Sequence, residues 1–149
     1  MKKITPFLWF DDRLEEALAF YATVFPDTVV RSVTRSAGKV MSATFVLGGH
    51  EFMALNGGPH YPHTPAFSLF VSCTTQAEVD DYWAKLTADG GRESQCGWLV
   101  DKFGLSWQII PDALGECIGH PDPAKARRAL EAMMSMQKLD IAALRRAVA

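Results

Sequence analysis

Apolar residues along this chain switch between two periods, and the switches occur in the same order twice. Ile4 to Phe10 is rich in β-branched and aromatic residues and predicts a strand. Leu14, Ala17, Leu18, Tyr21 and Val24 then recur at helical spacing. Asp11 and Asp12 offer an N-cap for a helix that begins near Arg13, and Pro26 ends it around Phe25. Three strand-like stretches follow, Thr28 to Arg35, Lys39 to Leu47 and Glu51 to Leu55, punctuated by Ala37-Gly38 and Gly48-Gly49. Asn56-Gly57-Gly58-Pro59 and the Pro-rich stretch to Pro65 read as a linker.

The second half repeats this order. Ala66 to Ser72 predicts a strand, and Thr74 or Thr75 a cap for a helix carrying Val79, Tyr82, Trp83 and Leu86. Gly90-Gly91 ends that helix. Arg92 to Cys96, Trp98 to Lys102 and Leu105 to Ile110 supply three more strands, with Gly97 and Gly104 at the breaks. The halves also align by residue: Phe10 with Val71, Leu18 with Val79 and Tyr21 with Tyr82, each pair 61 positions apart. A βαβββ order met twice with matching helix anchors is an internal repeat, and a repeat sets the architecture. The expected organisation is one α+β domain over residues 1–149, with modules at 1–58 and 65–111 and a helical tail at 112–149. In the tail, Asp122-Pro123 is a strong helix start, with Ala126, Leu130, Met133 and Met134 as an apolar stripe. Asp140 caps a last short helix whose apolar side is Ile141, Leu144 and Val148. These helices cover sheet or pack on a second subunit, since Met-rich stripes suit adaptable interfaces.

Composition narrows the classes. A chain of 149 residues can bury a core without disulfide or metal staples. A net charge of −2 argues against broad affinity for nucleic acid. No apolar run approaches the roughly 20 residues that cross a bilayer. The basic start Met1-Lys2-Lys3 lacks the apolar stretch of a signal peptide, because Asp11, Asp12 and Arg13 interrupt it. Cys73, Cys96 and Cys117 are an odd, widely spaced set, which suits reduced thiols in a cytoplasmic protein better than a disulfide framework or a structural zinc site.

Several segments resemble a known group. They are Ile4-Thr5-Pro6-Phe7-Leu8-Trp9-Phe10, Phe52-Met53-Ala54-Leu55-Asn56-Gly57-Gly58, the run from Cys96-Gly97-Trp98 through Asp101-Lys102-Phe103-Gly104 to Gln108-Ile109-Ile110-Pro111, and Ala132-Met133-Met134-Ser135-Met136-Gln137-Lys138-Leu139-Asp140-Ile141. In these the chain resembles the PhnB-like branch of the vicinal-oxygen-chelate superfamily, the glyoxalase-like proteins. That branch is often labelled a 3-demethylubiquinone-9 3-methyltransferase domain. The resemblance covers nearly the whole chain. It implies that each module forms half of a curled, barrel-like mixed sheet around a cleft, and it implies a homodimer.

Metal-dependent members of the superfamily hold a divalent ion through His, Gln or Glu on the first and last strands of the modules. By the repeat, those places are Thr5 and Ala66 on the first strands, a position near Met53, and Gln108. Thr, Ala, Met and Gln are a poor donor set for an ion that needs at least three protein ligands. The expectation is therefore a site without metal or other cofactor, in which Gln108 offers its amide to a polar ligand group or to a neighbouring strand. His60 and His63 could serve as ligands or as an acid–base pair, but they lie in an irregular loop with no adjacent acid. His50 and His120 are expected at the periphery. No base lies near Cys96 in sequence to activate its thiol. Methyl transfer in the usual α/β fold needs a Gly-rich turn between a strand and the next helix, and none of the pairs Gly48-Gly49, Gly57-Gly58 and Gly90-Gly91 is so placed.

What remains is aromatic. Phe7, Trp9, Phe52, Phe67, Trp98 and Trp107, with Tyr61 and Gln108, are the candidate ligand-binding residues, although strand alternation sends some to the opposite face. The expected activity is binding of a small apolar or aromatic molecule without a catalytic metal. The alternatives are a metal-dependent enzyme using His60 or His63, the methyltransferase of the label, or an interaction module whose cleft is filled by its own side chains.

Overall fold

The computed structural model describes residues 2–149, so Met1 lies outside it. The described residues divide into two compact units, separated between His63 and Thr64. Unit 1 contains β1 (Phe7–Phe10), α1 (Leu14–Val24), β2 (Val29–Ser36), β3 (Lys39–Leu47) and β4 (His50–Asn56). Unit 2 contains β5 (Ser68–Cys73), α2 (Gln76–Thr87), β6 (Arg92–Glu93), β7 (Trp98–Val100) and β8 (Ser106–Pro111), followed by α3 (Asp112–Ile118), α4 (Pro123–Met134) and α5 (Ile141–Ala147). The two sheets share one topology, β1-β4-β3-β2 and β5-β8-β7-β6. In each, the first strand runs parallel to the last and the others form an antiparallel meander. The eight strands thus make two four-stranded mixed sheets and no closed barrel.

Alternation along the strands divides each sheet into a helix-covered face and an open face. In unit 1, Leu8, Phe10, Phe45, Phe52 and Ala54 are buried together with Leu14, Ala17, Leu18 and Tyr21 of α1. In unit 2, Leu99, Trp107 and Ile109 are buried together with Val79, Trp83 and Leu86 of α2. The periodic residues that predicted both helices form these cores, except Tyr82, which is half-buried.

Local differences from the sequence reading have local causes. β1 starts at Phe7 rather than Ile4, because Pro6 has no N–H and joins the ladder only as an acceptor from Met53 N at 2.9 Å. Neither Asp11 nor Asp12 caps α1. The Leu14 N–H donates instead to Asn56 Oδ1 at 3.0 Å, while Asn56 Nδ2 donates to Val40 O, so the last strand caps the helix across the unit. α2 is capped as expected, by Thr75 Oγ1, which accepts from Glu78 N.

β6 ends at Glu93 rather than Cys96. Cys96 and Gly97 both have positive φ, 59° and 85°, which breaks the pleat. Their N–H groups turn to the tail, donating to Met136 O and Gln137 O at 2.8 Å each. The tail therefore packs in cis on unit 2, where Ile110, Leu114, Cys117, Ala129, Leu139 and Leu144 form a second core. In α4 the buried side centres on Ala129, with Met133 against it, whereas Leu130 and Met134 of the expected stripe face outward.

Candidate functional site

A cavity of about 790 Å³ lies in unit 2. Its floor is the open face of the sheet, to which Phe70, Ser72, Trp98, Gln108 and Ile110 contribute. Its wall is α3, through Asp112, Leu114, Gly115, Glu116 and Ile118, with Cys96, Pro111 and Met133 completing the lining. The register explains the grouping: Gln108 lies between Phe70 on β5 and Trp98 on β7. Neighbours across a sheet share a face. Because α3 follows β8 directly, the helix meets the open end of this row.

Of the predicted aromatic residues, the cavity gathers only Trp98, with Gln108 beside it. Trp107 and Phe52 lie instead on the helix-covered faces, because each is one residue out of phase with the open face of its strand. Trp107 is buried, and its Nε1 donates to Asp101 Oδ2 at 2.9 Å. Asp101 Oδ1 also accepts from Phe103 N and Leu105 N, so this buried carboxylate organises the turn into β8 and does not face a ligand. Phe52 stacks on Phe45 with ring centroids 5.6 Å apart. Phe67 is exposed just before β5. Phe70, Ser72, Asp112 and Glu116 are lining residues that the sequence reading missed. Phe70 sits at a position whose strand phase, counted from Gln108 across the pair, could have revealed it.

In unit 1, Phe7 and Trp9 stand on the open face beside Met53 and Leu55. Trp9 is held by its own linker: Nε1 donates to Gly58 O at 2.9 Å, and Tyr61 meets the ring edge-on at 4.9 Å. Gly57 is required there, since a Cβ would lie 2.2 Å from the indole. His60 is exposed, whereas His63 lies edge-on to Phe10 at 5.5 Å. His50 is exposed, and His120 Nδ1 accepts from Asp122 N at 3.0 Å.

The metal positions can be tested on register. Trp9 pairs with Leu55, and its repeat partner Phe70 pairs with Gln108. The counterpart of Gln108 is therefore Leu55, two residues beyond Met53 on the same face. Thr5 and Ala66 precede their strands. Gln108 Nε2 donates to Ser68 Oγ at 3.0 Å, so its amide braces the neighbouring strand. Leu and Ala offer no lone pair, and the Met thioether is a soft donor unsuited to a hard or borderline ion. Among the described residues no group of three His, Cys, Asp or Glu is placed to hold a metal. These residues do not fit a divalent ion.

Of the three free cysteines, Cys73 and Cys117 are buried and Cys96 is half-buried at the cavity. Burial pushes the Cys73 thiol up to about 12, helped by the charges of Glu78 and Asp112. It is a thiol, not a nucleophile, at neutral pH. Among the described residues no helix is long and apolar enough to cross a membrane.

Two units of one βαβββ topology, each with a parallel first-to-last strand pair, define a glyoxalase-like, vicinal-oxygen-chelate type of fold. Residues 2–110 match the model of the 3-demethylubiquinone-9 3-methyltransferase family, and the chain belongs to that PhnB-like family. It is 36% identical to the PhnB protein of Bacillus cereus, over 74% of this chain and 99% of that one, with a TM-score of 0.68. A protein from Pseudomonas aeruginosa shares 21% identity over 74% and 98% of the two chains, at a TM-score of 0.60. The fosfomycin resistance protein FosX of Listeria monocytogenes shares the fold, at 16% identity over 72% and 88% and a TM-score of 0.52. That protein has also been solved with manganese(II) and sulfate. No curated protein matches the chain.

Proposed function

We propose that this chain binds a small apolar or aromatic molecule in the unit 2 cavity, without a catalytic metal. The observation that carries the reading is the open volume of about 790 Å³ beside Phe70 and Trp98. A binding pocket needs concavity, apolar walls and a few polar groups that fix orientation. Trp98 and Phe70 supply flat surface, Ile110, Leu114 and Met133 supply apolar wall, and Gln108 and Ser72 supply polar handles. The absence of chemically suitable ligands at Leu55, Met53, Thr5 and Ala66 favours recognition without an ion. The family's name alone points to methyl transfer, and no strand–glycine–helix turn supports it here.

We further infer a homodimer in a reducing, cytoplasmic compartment. Leu130 and Met134, 43% and 63% exposed on the outward side of α4, offer it apolar contact surface, and three unbridged thiols suit such a compartment. Thermal-shift screening against metabolites and divalent ions tests the binding reading, because a binder of the native state raises apparent stability. Apolar aromatic compounds are expected to stabilise the chain, and zinc, nickel or manganese are not. A stoichiometric metal that copurifies, and whose removal abolishes ligand binding, overturns the reading. Sedimentation showing only monomer at micromolar concentration overturns the dimer.

A further inference from the structure

We infer that the unit 2 cavity selects organic cations, meaning amines or quaternary ammonium groups carried on an aromatic or apolar skeleton. The inference rests on the reading of this cavity as the binding site and adds the charge of the ligand. The charged side chains of the lining are Asp112 and Glu116, and none of the lining residues is Lys, Arg or His. The two acids are four residues apart on α3, so both stand on one side of the helix. The same lining includes two aromatic side chains, Trp98 and Phe70. Ring faces attract cations through their quadrupole, and a carboxylate adds charge attraction in the same direction.

The competing internal cation is weakly held. Arg145 Nη2 stands 3.3 Å from Glu116 Oε2, with the two side chains 59% and 61% exposed. Such a pair is solvent-screened, and a bound cation can take the place of the guanidinium. Asp112 makes no ion pair among the described residues. With Glu116, it makes the α3 wall of the cavity negative. A carboxylate or phosphate ligand would meet the same field as repulsion, with no basic side chain in the lining to offset it.

Three probes of one skeleton separate the possibilities: phenylpropylamine as cation, phenylpropanol as neutral analogue and phenylbutyrate as anion. Each is titrated into the full chain by calorimetry and by tryptophan fluorescence. The amine is expected to bind about tenfold tighter than the alcohol, and the anion most weakly. In the double variant D112N/E116Q the ratio of amine to alcohol affinity is expected to fall to about twofold or less, a ratio in which any loss common to both probes cancels. Both positions are exposed, so the variant is expected to keep its Tm. Equal or tighter binding of the alcohol or the anion overturns the charge selection and leaves the aromatic site standing. A preference for amine that survives in the double variant also overturns it. Failure of all three probes at millimolar concentration removes the site itself.

Discussion

Gln76 and Leu139, 63 residues apart in sequence, are joined by a hydrogen bond of 3.0 Å from the Gln76 amide to the Leu139 carbonyl. The same side chain accepts from Ile141 N at 2.8 Å, so one amide clasps the main chain on both sides of Asp140. Lys138 adds an ion pair to Asp80 on α2 at 2.8 Å. With the Cys96 and Gly97 bonds to Met136 and Gln137, the segment 136–141 is fixed at two places on unit 2. This strap connects α4 to α5 and closes the core around Leu139.

Gln76→Ala is therefore expected to lower unfolding free energy by about 1–2 kcal/mol, since two main-chain groups lose a partner. Urea denaturation checks the magnitude. Hydrogen exchange checks the location, with faster exchange at Leu139 to Leu144 and little change in unit 1. Uniform exchange along the chain would contradict a strap role.

Gly97→Ala should cost more than an ordinary glycine substitution. The site has φ of 85°, and a Cβ would lie 2.9 Å from Ile110 Cδ1, 3.0 Å from Leu139 Cδ1 and 3.1 Å from Ile109 O. Backbone strain and overpacking then act together, for a loss of about 2–4 kcal/mol. Gly104→Ala, with φ of 90° and open space around the Cβ, carries the strain alone and is expected to cost less. Comparing the two midpoints in urea checks the order.

The two faces of β7 and β8 give opposite outcomes for two tryptophans. Trp107→Phe leaves the buried Asp101 Oδ2 without its indole donor and is expected to cost about 1–3 kcal/mol of stability. Trp98→Ala at the cavity is expected to weaken binding of an aromatic probe about fivefold or more, with a small change in Tm. Calorimetry and thermal denaturation on both variants check the pairing. Loss of binding in Trp107→Phe with Trp98→Ala unaffected would reverse the assignment.

The Cys73 thiol has a pH signature. Its native value of about 12 lies above the ordinary 9.0, so the native state favours the protonated form. The associated stability is complete below pH 9.0 and is lost as pH rises toward about 12. Cys73→Ala should therefore flatten the alkaline fall in stability relative to the parent chain. In the folded protein at pH 8, a thiol reagent is expected to modify half-buried Cys96 before Cys73, which mass spectrometry of the labelled peptides checks.

The sequence by itself determined the repeat, the order of strands and helices, and the family. The apolar periods of 2 and 3.6 residues are properties of consecutive positions, and so were the Thr75, Asp122 and Asp140 caps and the turn glycines. What tertiary structure decided were relations between distant positions. Asn56 caps α1 in place of Asp11 or Asp12 because β4 ends beside the helix start. Leu55, not Met53, answers to Gln108, because that match depends on register between strands and not on spacing along one. Strand alternation by itself separates Trp107 from Gln108 and Phe52 from Met53, but only the tertiary structure showed which phase is buried and that Trp98 lies beside Gln108 on the open one. Asp112 and Glu116 line one cavity with Trp98 and Phe70 only because α3 follows directly on β8. Hydrophobic period records which side of an element is buried, but not which other element arrives to cover it, and a binding site is made at that meeting.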